Sequence, residues 1–525
     1  REFQRKGVVE VDVVPGSAFM GRRKIFEQVG GFDPKFFLYF EESDLCKRVR
    51  DLGYKIYINF DVPIIHLWRG STPDNPMIKK IFEKSRFYYF KKHFGIFNAL
   101  LVEVFARFSK SLTIFTVIFA FGVFLRFYRL QENLVFHGEL GDNYLAIKNF
   151  VQESKIPLLG PPTSHPWLNF GPLFYWLFIP ILYIGNFQPL IGAYAMAIFS
   201  SLLIIVNYIF VKKLFSDKVA IVSSFLISIS SLWLWMARES RFFSLTPFFF
   251  YPFYFFLTNG NIFWALLILS IGLNFHLSLL IYLPVAFFYI HKKFKIALFG
   301  FLLGQIPFLI GSLLTDYKMP IKFLAWLPYR VVANPAAKFR FESFSIWTLI
   351  LIPVFLFIIL KYYKKYRPLC TLFVTGILAL IIHGNPPSHY FLPLYPIFTI
   401  LPAIFLSDVD ISKIFRYLLF FIVLIPTFTL FRPFGWFYQD QTRISDDYHV
   451  PYELQQKATS VILEDAHGVK FNLKRQGLFD NFSEDFSQNY RYLLWLGGNE
   501  PIVDSNLIYT ICEINCIFDN YDNVW

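Results

Sequence analysis

Long apolar runs separated by short basic clusters decide what this chain can fold into. One run covers Lys110–Phe127, and further runs follow as far as residue 431. Since a membrane-spanning helix needs about 20 mostly apolar residues, the pattern predicts a polytopic α-helical membrane protein with about 11–13 spans. The candidate spans are 111–128, 189–211, 219–236, 241–257, 262–275, 277–290, 296–314, 345–360, 369–383, 391–406 and 414–431.

The formal net charge of +13 comes from Lys and Arg that lie between these apolar runs. Basic residues accumulate in cytoplasmic loops beside anionic lipid, so the charge indicates a membrane surface and not nucleic acid. Placing every basic cluster inside puts residues 129–170, 237–241, 315–344, 384–390 and everything from 432 onwards outside. We therefore expect a multi-pass protein of the cytoplasmic (inner) membrane, with a cytoplasmic N-terminus. Residues 171–187 are also apolar enough to span, but an extra crossing would break this alternation.

Composition divides the chain into residues 1–98, 99–434 and 435–525. The first region mixes charge, glycine and alternating apolar residues, and VVEVDVVPGSAFMGRR predicts two short strands around a Pro-Gly turn. After it, GGFDPKFFLYFEESDLCKRVRDLGYKIYI predicts a loop, a helix and a strand, and residues 79–95 predict a basic aromatic helix at a membrane surface. The chain begins with Arg1, and we expect its true N-terminus to be missing.

The blocks GSAFMGRR, GGFDPKFFLYFEESDLCKR and IIHLWRGST resemble the C-terminal half of family 2 glycosyltransferases, which have the α/β GT-A fold. The resemblance covers about residues 8–95. It implies that Glu42 is the base, that Asp44 matches a family aspartate, and that His66 lies near the nucleotide diphosphate and metal. The family's nucleotide-binding half and its Asp-x-Asp motif are not in the sequence, so we expect a truncated, inactive domain. The simpler alternative is that Glu41, Glu42 and Asp44 are ordinary charges at a helix N-terminus.

The loops predicted to lie outside carry the residues that suit catalysis. They are Glu139, Asp142, Asn143, Lys148 and His165 in the first loop, Arg238, Glu239 and Arg241 in the second, Arg330, Arg340 and Glu342 in the third, and His383, His389 and Tyr390 in the fourth. A carboxylate can take a proton from an attacking hydroxyl, and Arg can hold a leaving phosphate. Charges beside a bilayer are costly and therefore usually functional, although any single loop charge is often merely solvated. His276, within an apolar run, favours a hydrogen bond between helices.

The blocks HGELGDNYLAIKNF, GPPTSHPWLNFGPLFYW, MARESRFFSLTP and SHYFLPLYP resemble the bacterial branch of the GT-C superfamily. Members of this superfamily include protein O-mannosyltransferases and lipid A aminoarabinose transferases. The resemblance covers about residues 110–435. It implies transfer of a sugar from a polyprenyl-phosphate carrier to a glycan, lipid or protein acceptor outside the membrane.

The GT-C resemblance also assigns roles to residues. Glu139 stands where the family usually has Asp, which leaves open whether Glu139 or Asp142 acts. We expect Glu139 to be the base and Asp142 to bind the acceptor or a metal. Arg238 and Arg241 are the expected phosphate-binding residues, and the further donor-binding candidates are His165, His389 and Tyr390. A divalent metal, Mg²⁺ or Mn²⁺, is left open as a cofactor.

Two other functions also fit parts of the sequence. One is a membrane-anchored family 2 enzyme that uses a nucleotide sugar at the cytoplasmic face. The other is a flippase for lipid-linked sugars, which the absence of repeat symmetry and the position of the acids disfavour.

Residues 435–525 are polar and predict a small α+β domain outside the membrane. A helix is expected in VPYELQQKATSVILEDAHG, and short strands in KFNLKRQG, RYLLWLGG and LIYTICEINCIF. Glu464, Asp465 and His467 fit a solvated helix end. Cys512 and Cys516 form a disulfide or remain thiols.

Overall fold

The computed structural model describes residues 6–62, 64, 76–107, 110–132, 134–163, 165, 167–290, 293–332, 346–383, 388–408, 450–477 and 486–513. The chain divides into two compact units, Arg1–Thr113 and Ile114–Trp525. Each unit is described by itself.

The described residues of the first unit form a two-stranded antiparallel sheet and three helices. Its elements are β1 (Val8–Val11), α1 (Arg23–Gln28), α2 (Glu41–Asp51), β2 (Ile56–Asn59) and α3 (Pro76–Arg107). The predicted helix and following strand are confirmed as α2 and β2. The prediction of a second strand just after β1 is wrong, because β1 pairs with the distant β2, Val8 opposite Asn59.

Helix α3 reverses direction at Gly95, which has a φ of 86°. Arg86 and Glu103 form a two-bonded ion pair at 2.8 and 3.0 Å. In a continuous helix 17 residues rise about 26 Å, so this pair requires the chain to fold back. The predicted surface helix at 79–95 is thus the first arm of a helical hairpin.

In the second unit the helices are α4 (Lys110–Phe127, which begins just before the boundary), α5 (Gly138–Gln152), α6 (Leu173–Ile184), α7 (Pro189–Leu214), α8 (Asp217–Ile229), α9 (Ser231–Met236), α10 (Pro247–Thr258), α11 (Ile262–Leu273), α12 (Leu283–Ile290), α13 (Phe294–Thr315), α14 (Met319–Val332), α15 (Ile346–His383), α16 (Tyr395–Asp408), α17 (Tyr452–Ala466) and α18 (Gln488–Leu496). Short 3-10 helices cover Phe242–Leu245, Leu277–Tyr282 and Ser388–Leu394.

Several of these helices are suited to a bilayer. Four described stretches are long and apolar enough to cross a membrane: Pro189–Leu214, Phe294–Thr315, Ile359–Ile382 and His389–Ser407. Five shorter apolar stretches accompany them: Ser111–Phe127, Leu173–Ile184, Phe242–Thr258, Ile262–Leu273 and Leu277–Ile290. This supports a multi-pass membrane protein. The predicted span 414–431 lies outside the described residues, so the total number of spans stays a prediction.

The predicted single span 219–236 is wrong, because the helix ends at Ile229 and α9 begins at Ser231. Arg126 of α4 satisfies the carbonyl groups left by this break. Its guanidinium donates to the carbonyl oxygens of Ile227 and Ser228, both at 3.2 Å, and to the hydroxyl of Ser200 at 2.8 Å. A fully buried cation is tolerated here because helix C-termini present partial negative charge.

Helix α15 also folds back on itself, at Tyr366. The rings of Phe355 and Phe373 have centroids 4.9 Å apart, whereas 18 residues of continuous helix would separate them by about 27 Å. The hydroxyls of Tyr363 and Thr371 lie 3.3 Å apart across the same turn. The chain therefore forms two antiparallel arms, in the places of the predicted spans 345–360 and 369–383. The apolar stretch Ile359–Ile382 includes the reversal.

Two segments predicted as outer loops are helical. Residues 138–152 form α5, because Leu140, Tyr144 and Ile147 recur at helical spacing and are all buried. Residues 319–332 form α14, within the predicted loop 315–344.

The C-terminal part of the chain contains α17, α18 and a parallel sheet of β3 (Asn472–Gln476) and β4 (Ile508–Cys512). The predicted helix and two of the three predicted strands are confirmed. RYLLWLGG is helical instead, because Tyr490, Leu493 and Leu494 form one buried face of α18. Cys512 is disulfide-bonded, Cys46 and Cys370 are free, and Cys516 lies outside the described residues.

Helix α18 and the residues before it lie directly on α5. A Cβ atom at Gly141 would approach the backbone nitrogen of Asn489 to 2.2 Å, and one at Gly138 would approach the carbonyl oxygen of Phe486 to 2.7 Å. Gln455 of α17 donates to the carbonyl of Phe136 at 2.6 Å, and Lys148 pairs with Glu500 at 2.7 Å. The glycines of HGELGDN are thus needed for backbone contact between α5 and α18.

G141A is expected to destabilise the second unit by about 1–3 kcal/mol, because the added methyl group would overlap backbone that cannot move away by rotating a side chain. The measurement is thermal unfolding of the detergent-solubilised chain. G21A is the control, since a Cβ at Gly21 meets nothing within 4 Å. Equal unfolding temperatures for G141A and G21A would contradict the close contact between α5 and α18.

Candidate active site

The N-terminus of α5 presents Glu139 in its first turn. His137 is the extended residue before the helix, and Gly138 begins it. A carboxylate in this position interacts favourably with the helix dipole. The Glu139 side chain is 43% exposed, so it stays accessible at the edge of an otherwise buried segment.

The second part of the site is the irregular segment 237–241 between α9 and the 3-10 helix Phe242–Leu245. Arg238, Glu239 and Ser240 are all buried. Arg241 leaves this segment and meets α5. Its Nη1 lies 3.7 Å from Oε2 of Glu139, its Nε lies 2.7 Å from Oε2 of Glu239, and its Nη2 donates to Nε2 of His137. One guanidinium therefore bridges two carboxylates and an imidazole.

Glu239 is fully buried, and its environment opposes ionisation. Burial raises the pKa of the Glu239 carboxyl to about 7; Arg241 lowers it and Glu139 raises it further. Desolvation thus outweighs the attraction of a guanidinium at 2.7 Å. A carboxyl group that titrates near neutral pH beside an arginine is typical of functional sites.

A hydrogen bond ties the two parts of the site together. The hydroxyl groups of Tyr144 on α5 and Ser240 lie 2.6 Å apart. A Cβ at Gly192 of α7 would lie only 1.7 Å from the Tyr144 oxygen, so this glycine leaves room for the bond. The relative position of Glu139 and Arg241 therefore depends on a buried contact between their own elements.

Aromatic and histidine rings continue from Arg241. Its guanidinium lies over Phe243 at 5.3 Å, and Phe243 stacks on His389 at 4.4 Å. His389 and Tyr390 contact His276 at 5.2 and 5.1 Å. The backbone N–H of Ser278 donates to Nδ1 of His276 at 3.2 Å. The second and fourth predicted loops thus contact each other. The expected hydrogen bond from His276 to another helix is replaced by one to Ser278, two residues later in the chain.

Asp142 faces a cavity of about 560 Å³. Asn169, Tyr175 and Lys155 contribute polar groups to its lining, and Thr315 contributes from α13. The other lining residues are Ala146, Phe150, Ile156, Leu158, Leu159, Gly160 and Pro162. Pockets that enclose small ligands have volumes of about 300–1,000 Å³, so the cavity can hold a sugar-sized group.

The remaining predicted residues are placed differently. Arg238 is buried and its Nη2 lies 3.4 Å from the carbonyl oxygen of Tyr128. His165 stacks on Trp167 and contacts Trp326 at 4.9 Å, and the described residues show no contact of its ring with Arg241. Arg340 and Glu342 lie outside the described residues, and Arg330 and His383 belong to α14 and α15.

In the first unit Asp44 is fully buried and paired. Its carboxylate meets Arg48 at 2.7 Å, Lys92 at 2.6 Å and His93 at 2.7 Å. The pKa of Asp44 is lowered because hydrogen bonds from Lys92, His93 and Arg48 outweigh the cost of burial. These contacts join α2 to α3. Glu42 lies beside Gly16, and His66 lies outside the described residues.

No group of three or more His, Cys, Asp or Glu side chains that could hold a metal occurs in the described part of the chain. Arg241 supplies a positive charge beside the carboxylates of Glu139 and Glu239. A role for Mg²⁺ or Mn²⁺ stays a prediction.

The sequence did not single out His137, Tyr144 or Ser240 as site residues, and it named Glu239 among the loop charges without assigning it a role. Glu239 carried a signal, since it lies between two arginines within an apolar region. The roles of Tyr144 and Ser240 depend on contact between residues 96 positions apart, which no local pattern reveals.

No family model and no curated protein matches the chain. Solved structures to which the chain is similar include the apo oligosaccharyltransferase of Archaeoglobus fulgidus, 11% identical over 74% of this chain and 64% of that chain, with a TM-score of 0.49. Another is ArnT from Cupriavidus metallidurans in the apo state, 11% identical over 74% of this chain and 75% of that chain, with a TM-score of 0.45. ArnT bound to undecaprenyl phosphate gives 12% identity, coverages of 73% and 76%, and a TM-score of 0.42. The chain spans just under two thirds of the oligosaccharyltransferase.

E239Q is expected to change how stability depends on pH. Because the pKa of Glu239 rises from 4.5 to about 7 on folding, the folded wild type binds the proton more tightly and loses stability as pH rises between these values. The glutamine variant lacks this titration. The free energy of unfolding of E239Q minus that of wild type should therefore increase by about 3 kcal/mol from pH 4.5 to pH 7 and stay constant above pH 7. Thermal unfolding across this range measures the slope.

The control is E132Q, an exposed carboxylate paired with Arg129. It should keep the wild-type slope. A slope in E239Q that matches wild type would show that Glu239 does not titrate in this range.

Proposed function

We propose that the chain is a membrane glycosyltransferase that moves a sugar from a polyprenyl-phosphate carrier to an acceptor outside the cytoplasmic membrane. The single observation that carries this proposal is the approach of Arg241 to Glu139 at 3.7 Å, although 102 positions separate them. The site joins an accessible carboxylate, a cation held by a buried acid and an adjoining cavity. The transfer of a sugar from a phosphate carrier requires these groups.

In the proposed reaction, Glu139 takes the proton from the acceptor hydroxyl as its oxygen bonds to the anomeric carbon. The bond from that carbon to the carrier phosphate breaks, and the phosphate leaves with the electron pair. Arg241 stabilises the charge on the leaving phosphate. The ion pair with Glu239 orients this guanidinium at 2.7 Å.

Asp142 has a separate role in this proposal. It lines the cavity of about 560 Å³ one helical turn from Glu139, on the same side of α5. Asn169 and Tyr175 add hydrogen-bonding groups there. We assign the cavity to the acceptor, and Asp142 to binding its hydroxyl groups.

E139Q should lower kcat by about 10²–10⁴-fold, because a general base contributes this much to proton transfer. D142N should act mainly on KM for the acceptor. The assay measures transfer from a panel of polyprenyl-phosphate sugars in membranes that contain the full chain. E132Q is the matched control, with an exposed carboxylate outside the site. Full activity in both E139Q and D142N would end the proposal.

The proposal also requires the site to face outwards. A cysteine at the exposed Gln152, at the end of α5, should react with a membrane-impermeant maleimide added outside intact cells. A cysteine at Lys364, at the turn of α15, should react only after the membrane is opened. The parent chain is the background, with Cys46 and Cys370 buried. Labelling of both positions from the same side would refute the topology.

A further inference from the structure

The turn of the α15 hairpin concentrates positive charge between two apolar arms. Lys361, Lys364, Lys365 and Arg367 all lie within seven residues around the reversal at Tyr366. Lys361 packs over Phe357 and Tyr362, and Lys365 packs over Tyr366 at 4.8 Å. These contacts place the ammonium groups over the ring faces as cation–π pairs, and a combination of Lys and Tyr at the end of an apolar helix is typical of a membrane–water boundary.

Beside this turn lies a second cavity, of about 190 Å³, which nothing in the proposed reaction uses. Arg367, Tyr363 and Thr371 of α15 line one side, and Tyr289 of α12 contributes another hydroxyl. Val285 and Phe288 of α12 supply apolar lining. The lining of the cavity therefore combines one cation and several hydroxyl groups with apolar side chains.

Arg367 is the cation available to a ligand here. Its guanidinium makes no hydrogen bond and no ion pair within the part of the chain that the structure describes. Arg48, Arg86, Arg126 and Arg241, in contrast, all bind carbonyl or carboxylate groups of the chain. The planar guanidinium binds phosphate oxygens with two parallel hydrogen bonds, and hydroxyl groups can donate to further oxygens.

The size of the cavity restricts the ligand. About 190 Å³ is below the range of about 300–1,000 Å³ for pockets that enclose drug-sized ligands. It suits one phosphate group with the first atoms of an attached chain. The apolar lining beside Arg367 and the adjacent lysines favour a phosphate delivered by a lipid, since basic pockets between membrane helices bind anionic head groups.

We propose that this cavity binds the head-group phosphate of an anionic membrane phospholipid. Arg367 holds the phosphate, Tyr289 and Thr371 complete its hydrogen bonds, and Val285 and Phe288 contact the start of the acyl chains. The site is independent of sugar transfer, and its occupancy fixes the end of α12 against the turn of α15.

The test is native mass spectrometry of the full chain in detergent, titrated separately with phosphatidylglycerol, with dioleoylglycerol and with inorganic phosphate. Wild type should retain one phosphatidylglycerol that R367Q binds at least about tenfold more weakly, as expected for loss of charge-assisted hydrogen bonds. Dioleoylglycerol, which lacks the phosphate, should not occupy this site.

K364Q is the matched control, because it removes one charge from the same turn without lining the cavity. T371V keeps charge and shape but removes a hydroxyl group, so it should weaken phosphatidylglycerol binding while leaving the chain folded. Equal weakening in R367Q and K364Q, or equal binding of dioleoylglycerol, would overturn the proposal. Inorganic phosphate could instead bind as tightly as phosphatidylglycerol, with R367Q abolishing the binding of both. The cavity would then be a phosphate site whose ligand is a free anion and not a lipid.

Discussion

A helix that ends among apolar residues leaves its last carbonyl groups without hydrogen-bond donors. The structure of the second unit depends on supplying such donors. Arg126 does this where α8 ends, by donating to the carbonyls of Ile227 and Ser228. Each unsatisfied polar group in such surroundings would cost several kcal/mol, about the scale of a whole domain's stability. The break that Arg126 supports lets the chain turn through α9 into residues 237–241. A buried cation in one helix thereby places the second part of the candidate site.

In the site, the cost of burying the Glu239 carboxylate opposes its attraction to Arg241. Glu239 has no access to solvent, and its raised pKa records the cost of ionisation there. Arg241 offsets part of this cost, and its other nitrogens meet Glu139 and His137. Because the guanidinium has three partners, a phosphate that binds it competes with contacts already made. Such a cation is oriented before substrate arrives, which lowers the reorganisation that catalysis requires.

Long apolar runs predicted most of the helices, and the spacing of apolar residues outside those runs explains the errors. Leu140, Tyr144 and Ile147 recur at helical intervals within a segment interpreted as a polar loop between spans, and this segment also contains Gly138 and Gly141. Those glycines serve contact with α18, which the sequence does not reveal. RYLLWLGG has strand-forming residues, but Tyr490, Leu493 and Leu494 follow a helical period. The acids and arginines of the site were visible as costly charges, whereas their pairing depends on tertiary contact. Asp44 was singled out by resemblance, and in the structure it binds Lys92 and His93 of α3.

The contact between α5 and the C-terminal residues has a consequence for biosynthesis. Lys148 meets Glu500, 352 positions later, and Gly141 lies against Asn489. The packing surface of the helix that carries Glu139 is therefore covered only after residues 486–500 have been synthesised. A nascent chain that has not reached these residues holds Glu139 and Arg241 without the support of α18 for α5.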